Sequence, residues 1–271
     1  MTGLLSCSLD KITEITPEEV REIISKDAAE EYVLVDVRTP DEYTEGHLPG
    51  ARLIPLPELD YRKDELAGTK NIITYCRSGK RSLAGAILLC NQGVTELHNM
   101  VGGMLNWSYE IVQGPFEEAQ AVFGDKEEIK DLLLFAIQME QTSESFYQHA
   151  SQHVDEELSG FLLKLAHAEQ RHQDTLHDRL REIWPQAPLP GNINMNELME
   201  GGISFPHALA DWDEHPPDER MDILEFALEK ESKAFDLYHR MADQVEEPLK
   251  GVFRDLARQE RRHIDEISRY L

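Results

Sequence analysis

Cysteine is scarce in this 271-residue chain: Cys7, Cys76 and Cys90 are the full set, and no two of them form a CxxC pair. Three thiolates cannot build a four-cysteine metal site, and their spacing offers no plausible disulfide framework, so the cysteines fit a reducing compartment and a cytoplasmic location. Long apolar runs are also missing. Nothing approaches the roughly 18 residues of a membrane span, and the opening MTGLLSCSLDK lacks the basic start and the length of a secretory signal. Positive charge is the third shortage. The 27 Lys+Arg stand against 52 Asp+Glu, a net charge of −25. Divided near residue 115, the balance is 11 against 18 before the cut and 16 against 34 after it, or −7 and −18. A surface this acidic repels nucleic acid and anionic lipid, which excludes both as partners.

What is present falls into two halves, 1–115 and 116–271, in keeping with about two domains for this length. In the first half, ITPEEVREII opens with Thr16 as an N-cap, Pro17 in the first turn and Glu19 placed to close a capping box. YVLVDVR (32–38) and NIITYC (71–76) are short apolar runs rich in β-branched residues, as expected of strands buried in a parallel sheet. EGHLPGARLIPLPEL, between them, reads as loop. In the second half the pattern turns helical over about 125–152, 155–184, 218–245 and 247–270. A Pro- and Gly-rich passage, PQAPLPGNINMNELMEGGISFPHALADWDEHPP, separates the second from the third. It is longer than a tight turn needs, which suggests a four-helix bundle with one long crossover.

The helical half repeats itself. LAHAEQRH (165–172) recurs as LARQERRH (256–263), and the same 91-residue offset aligns FAIQMEQTSESFY (135–147) with FALEKESKAFDLY (226–238). On helical wheels each apolar stripe is interrupted at matching places: Glu140 with Tyr147, Glu169 with His172, Glu231 with Tyr238, and Glu260 with His263. Four carboxylates and two imidazoles would then meet inside one bundle, and no lysine or arginine lies on those stripes to neutralise them. Burying unpaired charges costs several kcal/mol each, against a folding stability of about 5–15 kcal/mol. Two divalent cations would bring +4 against the four carboxylates, and an oxygen and imidazole ligand set suits iron or manganese. A single ExxH on a helix is weak evidence; its duplication on apolar stripes is strong.

These four segments, MEQTSESFY, AEQRH, KESKAFDLY and QERRH, resemble the helices of the rubrerythrin branch of the ferritin-like superfamily over about 120–271. The resemblance implies two iron ions, with manganese as the alternative. Glu140 and Glu231 would be single-helix ligands, completed by Glu169/His172 and Glu260/His263. It also implies peroxidase or oxidase chemistry fed by an external electron donor, and a homodimer. Tyr147 and Tyr238 are candidates to hydrogen-bond the ligand carboxylates, with plain core packing as the other reading. Glu144, one turn past Glu140, is either a further carboxylate or a solvated one. Ala234 stands where many rubrerythrins carry an additional glutamate, so a seventh ligand is in doubt.

In the first half, TYCRSGKRS (74–82) follows a strand and precedes a helix. A cysteine at such a turn faces backbone N–H groups and a helix N-terminus, which lower a thiol pKa and hold an anion. Cys90, inside an apolar helix, reads as inert packing. The loop, with DVRTPDEYTEGHLPGARLIPL (Asp36, Arg38, Gly46, His47 and Gly50) and VGGMLNW (101–107), resembles rhodanese sulfurtransferases over about 10–110. Asp36 and Arg38 are assigned to structure. Cys76 to Arg81 is Cys-x4-Arg, a loop sized for sulfur, where the related phosphatases use Cys-x5-Arg. The resemblance implies that Cys76 takes sulfane sulfur from thiosulfate or a low-molecular-weight persulfide and passes it to a thiol acceptor. The loop Arg77, Ser78, Gly79, Lys80, Arg81 and Ser82 would hold the anionic persulfide and steer the donor. The expected whole is an α/β rhodanese-like domain with a parallel sheet followed by an all-α ferritin-like bundle, a sulfurtransferase joined to a diiron centre that reduces peroxide or oxygen. The alternative is a redox or sulfur sensor or carrier whose metal pair senses oxidant or is purely structural.

Overall fold

The computed structural model describes residues 7, 9–25, 32–66, 71–114, 129–193, 197–199, 202–214 and 220–270. The chain divides into two compact units, Met1–Pro115 and Phe116–Leu271.

In the first unit, β1 (Ile12–Ile15), β2 (Tyr32–Asp36), β3 (Arg52–Leu53), β4 (Asn71–Tyr75) and β5 (Glu96–Met100) form one sheet in the order β1-β5-β4-β2-β3, every pairing parallel. The central strands bury both faces, which is why VLV and IIT carry no alternation. Helices α1 (Pro17–Ser25), α2 (Pro40–Glu45) and α3 (Lys80–Asn91) provide the connections. The Thr16 box forms as the spacing predicts: Thr16 N–H donates to Glu19 Oε2 at 2.7 Å and Glu19 N–H to Thr16 Oγ1 at 3.2 Å. EGHLPGARLIPLPEL holds more order than a loop. It contains the two-residue edge strand β3 and a 3-10 turn at Leu56–Glu58, because Ile54 and Leu56 N–H groups bond the carbonyls of Asp36 and Val37.

Cys7 and Cys90 are joined by a disulfide, so the three cysteines do contain a bridge, Cys90 is not inert packing, and the cysteine case for a reducing compartment loses its premise. The last turn of α3 lies against the segment leading into β1, where the Cys7 N–H also donates to Asn91 Oδ1 at 2.7 Å. A separation of 83 residues left no spacing signature. Among the described residues no helix is long and apolar enough to cross a membrane.

The second unit contains α4 (Ile129–Ala150), α5 (Glu156–Ile183), α6 (Phe205–Glu214), α7 (Arg220–Gln244) and α8 (Leu249–Ile267). The expected helical positions 125–128 and 218–219 lie outside the described residues. Helices α4 with α5 and α7 with α8 are the two hairpins of the repeat, and Asp155 caps α5 by accepting from Leu158 N–H at 2.9 Å. Leu158, Leu162, Leu165, Leu224 and Ala227 build the apolar core with Phe146, Tyr147 and Ile267. The crossover is not all coil: α6 lies in it, and Ala208 of α6 closes onto that core.

Candidate functional site

The first candidate site grows from the end of β4. Residues Ile72–Tyr75 are buried, and Cys76 follows them at 1% exposure, so the strand delivers the thiol to the carboxyl edge of the sheet, where open parallel sheets bind ligands. Gly79, with φ +85°, turns the chain into α3. The loop N–H groups of Ser78, Gly79 and Ser82 thereby converge on Cys76 Sγ. Burial works to raise the Cys76 thiol, but the Ser82 hydroxyl and these three N–H donors outweigh it and hold the thiol below its ordinary value. Ser82 Oγ lies 3.5 Å from Cys76 Sγ and 2.6 Å from Asn99 Oδ1 on β5.

The GG of VGGMLNW braces the loop from behind. Gly103 has φ +57°, and a Cβ there would sit 2.1 Å from the Cys76 carbonyl oxygen. That closeness lets Met104 N–H donate to Cys76 O at 2.9 Å and Leu105 N–H to Arg77 O at 3.0 Å. Arg77, Ser78 and Lys80 are exposed at the loop rim. Arg81 is differently placed: its guanidinium grips Glu42 through two bonds of 2.6 and 2.7 Å, which holds the Glu42 carboxyl at about 2. Glu42 also accepts from Thr39 in the capping box of α2, so Arg81 ties the loop to that helix. Arg38 is buried and donates to Asp36 Oδ2 at 2.6 Å and to Gly46 O at 2.7 Å. His47 stacks on Tyr43 with ring centroids 3.7 Å apart.

The second candidate site lies in the bundle. Glu140 on α4, Glu169 and His172 on α5, Glu231 on α7, and Glu260 and His263 on α8 are all buried. They form two overlapping groups, Glu140/Glu169/His172/Glu260 and Glu169/Glu231/Glu260/His263. Within each group the donor atoms lie no more than 4.8 Å apart. Glu169 and Glu260 belong to both groups. His172 Nδ1 is 3.1 Å from Glu169 Oε2 and 3.0 Å from Glu260 Oε1, and His263 Nδ1 is 3.3 Å from Glu231 Oε2. Burial opposes charge on both imidazoles, yet the carboxylates win, Glu260 and Glu140 raising His172 well above its ordinary value and Glu231 and Glu260 raising His263 to about 10. The interior therefore favours cations.

The tyrosines cross between hairpins. Tyr147 donates to Glu231 and Tyr238 to Glu140, so each hydroxyl engages a carboxylate rather than merely packing. Glu144 joins neither group; Gln148 and Gln173 donate to its two oxygens at 2.8 and 2.7 Å. Glu169 Oε2 and Glu260 Oε1 are buried beside His172 Nδ1, at 3.1 and 3.0 Å, without a well-formed hydrogen bond, and His172 Nε2 is buried with none. Buried carboxylate oxygens of this kind are costly unless a cation meets them, so the donor set fits a pair of divalent metals.

One residue here overturns an expectation. Lys230, absent from the stripes as read, is fully buried with Nζ 2.6 Å from Glu169 Oε1 and 3.4 Å from Glu231 Oε1. It sits three positions after the buried Ala227, so a full helical wheel that weighed every position beside a ligand would have found it. Asn99 and Glu42 were also missed; their roles depend on strand pairing and on a bond across 39 residues.

The chain matches the family model of the rhodanese-like domain over residues 16–110 and that of rubrerythrin over residues 222–271. A sulfurtransferase of Allochromatium vinosum is 32% identical over 97 residues, covering 36% of this chain and 89% of its own. The putative sulfurtransferase YtwF of Bacillus subtilis is 35% identical over 100 residues, 37% of this chain and 94% of its own. The B. subtilis protein YqhL is 42% identical over 78 residues, 29% of this chain, and the chain spans 62% of its length. The rubrerythrin match falls on α7 and α8, whose Glu231, Glu260 and His263 the 91-residue repeat duplicates in α4 and α5. The chain belongs to the rhodanese-like sulfurtransferase family and carries a rubrerythrin domain match over residues 222–271.

Proposed function

We propose that the protein moves sulfane sulfur through a persulfide on Cys76 and reduces peroxide or oxygen at a dimetal centre in the bundle. The sulfur reading is carried by one observation: a buried thiol receives the Ser78, Gly79 and Ser82 N–H groups and lies below its ordinary pKa. The Cys76 thiolate attacks the outer sulfur of thiosulfate, forming an S–S bond as the bond to sulfite breaks, and sulfite leaves. The terminal sulfur of the resulting persulfide is an anion, which the loop N–H groups hold. An acceptor thiolate then attacks that outer sulfur, leaves as its own persulfide, and returns Cys76 to thiolate. A low-molecular-weight persulfide serves as donor by the same exchange, with its thiolate as the leaving group. Arg77 and Lys80, exposed at the rim, draw the anionic donor in, while Arg81 anchors the loop through Glu42.

Glu140, Glu169, His172, Glu231, Glu260 and His263 would hold two metals, iron before manganese. When bound, such a pair supplies the two electrons that peroxide reduction needs, drawn in turn from an external donor. Tyr147 and Tyr238 fix the oxygens of Glu231 and Glu140, so those carboxylates keep their orientation. Metal-loaded protein is assayed for thiosulfate-dependent sulfur transfer to a thiol and for spectral reoxidation on adding peroxide to the reduced centre. Both activities are expected. Loss of transfer in Cys76→Ser and of reoxidation in Glu169→Ala would assign them, and absence of both in wild type refutes the reading.

A further inference from the structure

The repeat makes the two ends of the bundle site near-equivalent. A shift of 91 residues carries Glu140 onto Glu231, Tyr147 onto Tyr238, Glu169 onto Glu260 and His172 onto His263. The hydrogen bonds follow the same exchange, Tyr147 to Glu231 and Tyr238 to Glu140. At the buried position just before the first ligand of each hairpin the equivalence fails in charge. The repeat mate of Lys230 is Met139, and both have 0% exposure.

Lys230 places its ammonium 2.6 Å from Glu169 Oε1, 3.4 Å from Glu231 Oε1 and 4.9 Å from the centre of the Tyr147 ring, whose own hydroxyl donates to Glu231. Both carboxylates belong to the group completed by Glu260 and His263, and Glu231 belongs to that group alone. Met139 brings no charge to the matching place at the other end.

We propose that Lys230 makes the two cation positions unequal: the position framed by Glu140, Glu169, His172 and Glu260 fills first and tightly, and the position framed by Glu169, Glu231, Glu260 and His263 is a weak, exchangeable second one. A divalent ion at the second position takes Glu231 and part of Glu169 away from the ammonium, and meets a like charge at short range in a poorly screening interior. A lysine cation is a compact point charge, and this one is fully buried in the bundle. Glu169 is common to both positions, so the asymmetry lies at Glu231, while the repeat-related place in the other hairpin is taken by the uncharged Met139. The centre is then held with one resident metal and one that follows supply. This inference rests on the dimetal reading above.

The test is a titration of chelator-treated, full-length protein with Mn2+ alone, followed by calorimetry and by the electron paramagnetic resonance of free Mn2+. Wild type is expected to bind in two steps whose dissociation constants differ at least tenfold. Lys230→Met, which copies the repeat mate, is expected to tighten the second step at least tenfold and bring the two together. Met139→Lys is expected to weaken the first. Two equal sites in wild type, or two steps that Lys230→Met leaves unchanged, overturn the proposal while leaving the dimetal reading intact. Absence of any stoichiometric Mn2+ binding overturns both. Should neither variant fold, by circular dichroism, the wild-type isotherm decides: two steps support the proposal and equal sites refute it.

Discussion

Replacing Gly103 by alanine probes whether the close approach behind Cys76 is what shapes the sulfur loop. Gly103 has φ +57°, where an alanine pays about 1–2 kcal/mol of backbone strain. Its Cβ would also stand 2.1 Å from Cys76 O and 2.8 Å from the Arg77 carbonyl carbon and the Ser78 nitrogen, all backbone atoms with no side chain to swing aside. Relief requires a shift of roughly 1 Å to reach ordinary van der Waals separation. That shift breaks or weakens the Met104–Cys76 and Leu105–Arg77 bonds of 2.9 and 3.0 Å. At about 0.5–1.5 kcal/mol for each hydrogen bond, the total loss comes to about 2–5 kcal/mol. The loop N–H groups would move by a similar distance from the sulfur, and a misplacement of roughly 1 Å can cost about a hundredfold in rate. Gly93→Ala is the matched control: φ is +97° there, and a Cβ would meet nothing within 4 Å. The control should lose only the strain, about 1–2 kcal/mol, and keep its activity. The assays are the urea midpoint, the rate of Cys76 alkylation and sulfur transfer. If Gly103→Ala matches Gly93→Ala in all three, the close approach does not organise the loop.

Three other outcomes follow from the same geometry. Ser82→Ala removes the hydroxyl 3.5 Å from Cys76 Sγ. Because the folded thiol lies below its ordinary value of 9.0, the thiolate contributes stability that is present above 9.0 and fades as pH falls through the folded value. The alkylation profile of Ser82→Ala should therefore move to higher pH, with slower reaction at neutrality; an unmoved profile would show that the hydroxyl does not act on the sulfur. Tyr147→Phe and Tyr238→Phe each strip one donor from a buried carboxylate and should each destabilise the metal-free bundle by about 1.5–3 kcal/mol in thermal melts. Wild-type stability in both would argue against those bonds. The Cys7–Cys90 bridge closes a loop across 83 residues, so replacing both by serine should cost up to about 4.5 kcal/mol in the chain-entropy picture. Thiol titration of the native, unreduced chain should find one reactive cysteine; three would mean that the bridge is absent.

The bundle site was legible because it breaks the rule that makes helices readable. Glu169 and His172 follow Leu162 and Leu165 on one apolar stripe, and a second copy 91 residues on removes coincidence. Lys230 escaped the same reasoning because it precedes a ligand in sequence and its long apolar stem can reach inward from the edge of a stripe. The thiol loop was legible from the local order of strand, Cys and helix start. What Arg81 does was not, since its partner Glu42 arrives from another helix and the sequence shows only the sign of a charge. Helix α6 was hidden by the glycines and prolines around FPHALADW, which read as loop although Ala208 packs into the core. The Cys7–Cys90 bridge and the two-residue β3 depend on tertiary closeness alone.

The central claim is that buried carboxylates and imidazoles in the bundle exist to hold two divalent cations. Anomalous diffraction from crystals of the full chain grown with Mn2+ tests it most directly. The account predicts two peaks between Glu169 and Glu260, one bounded by Glu140 and His172 and the other by Glu231 and His263, the second weaker. An absence of peaks at saturating metal, with Lys230 still seated on Glu169 and Glu231, would contradict it.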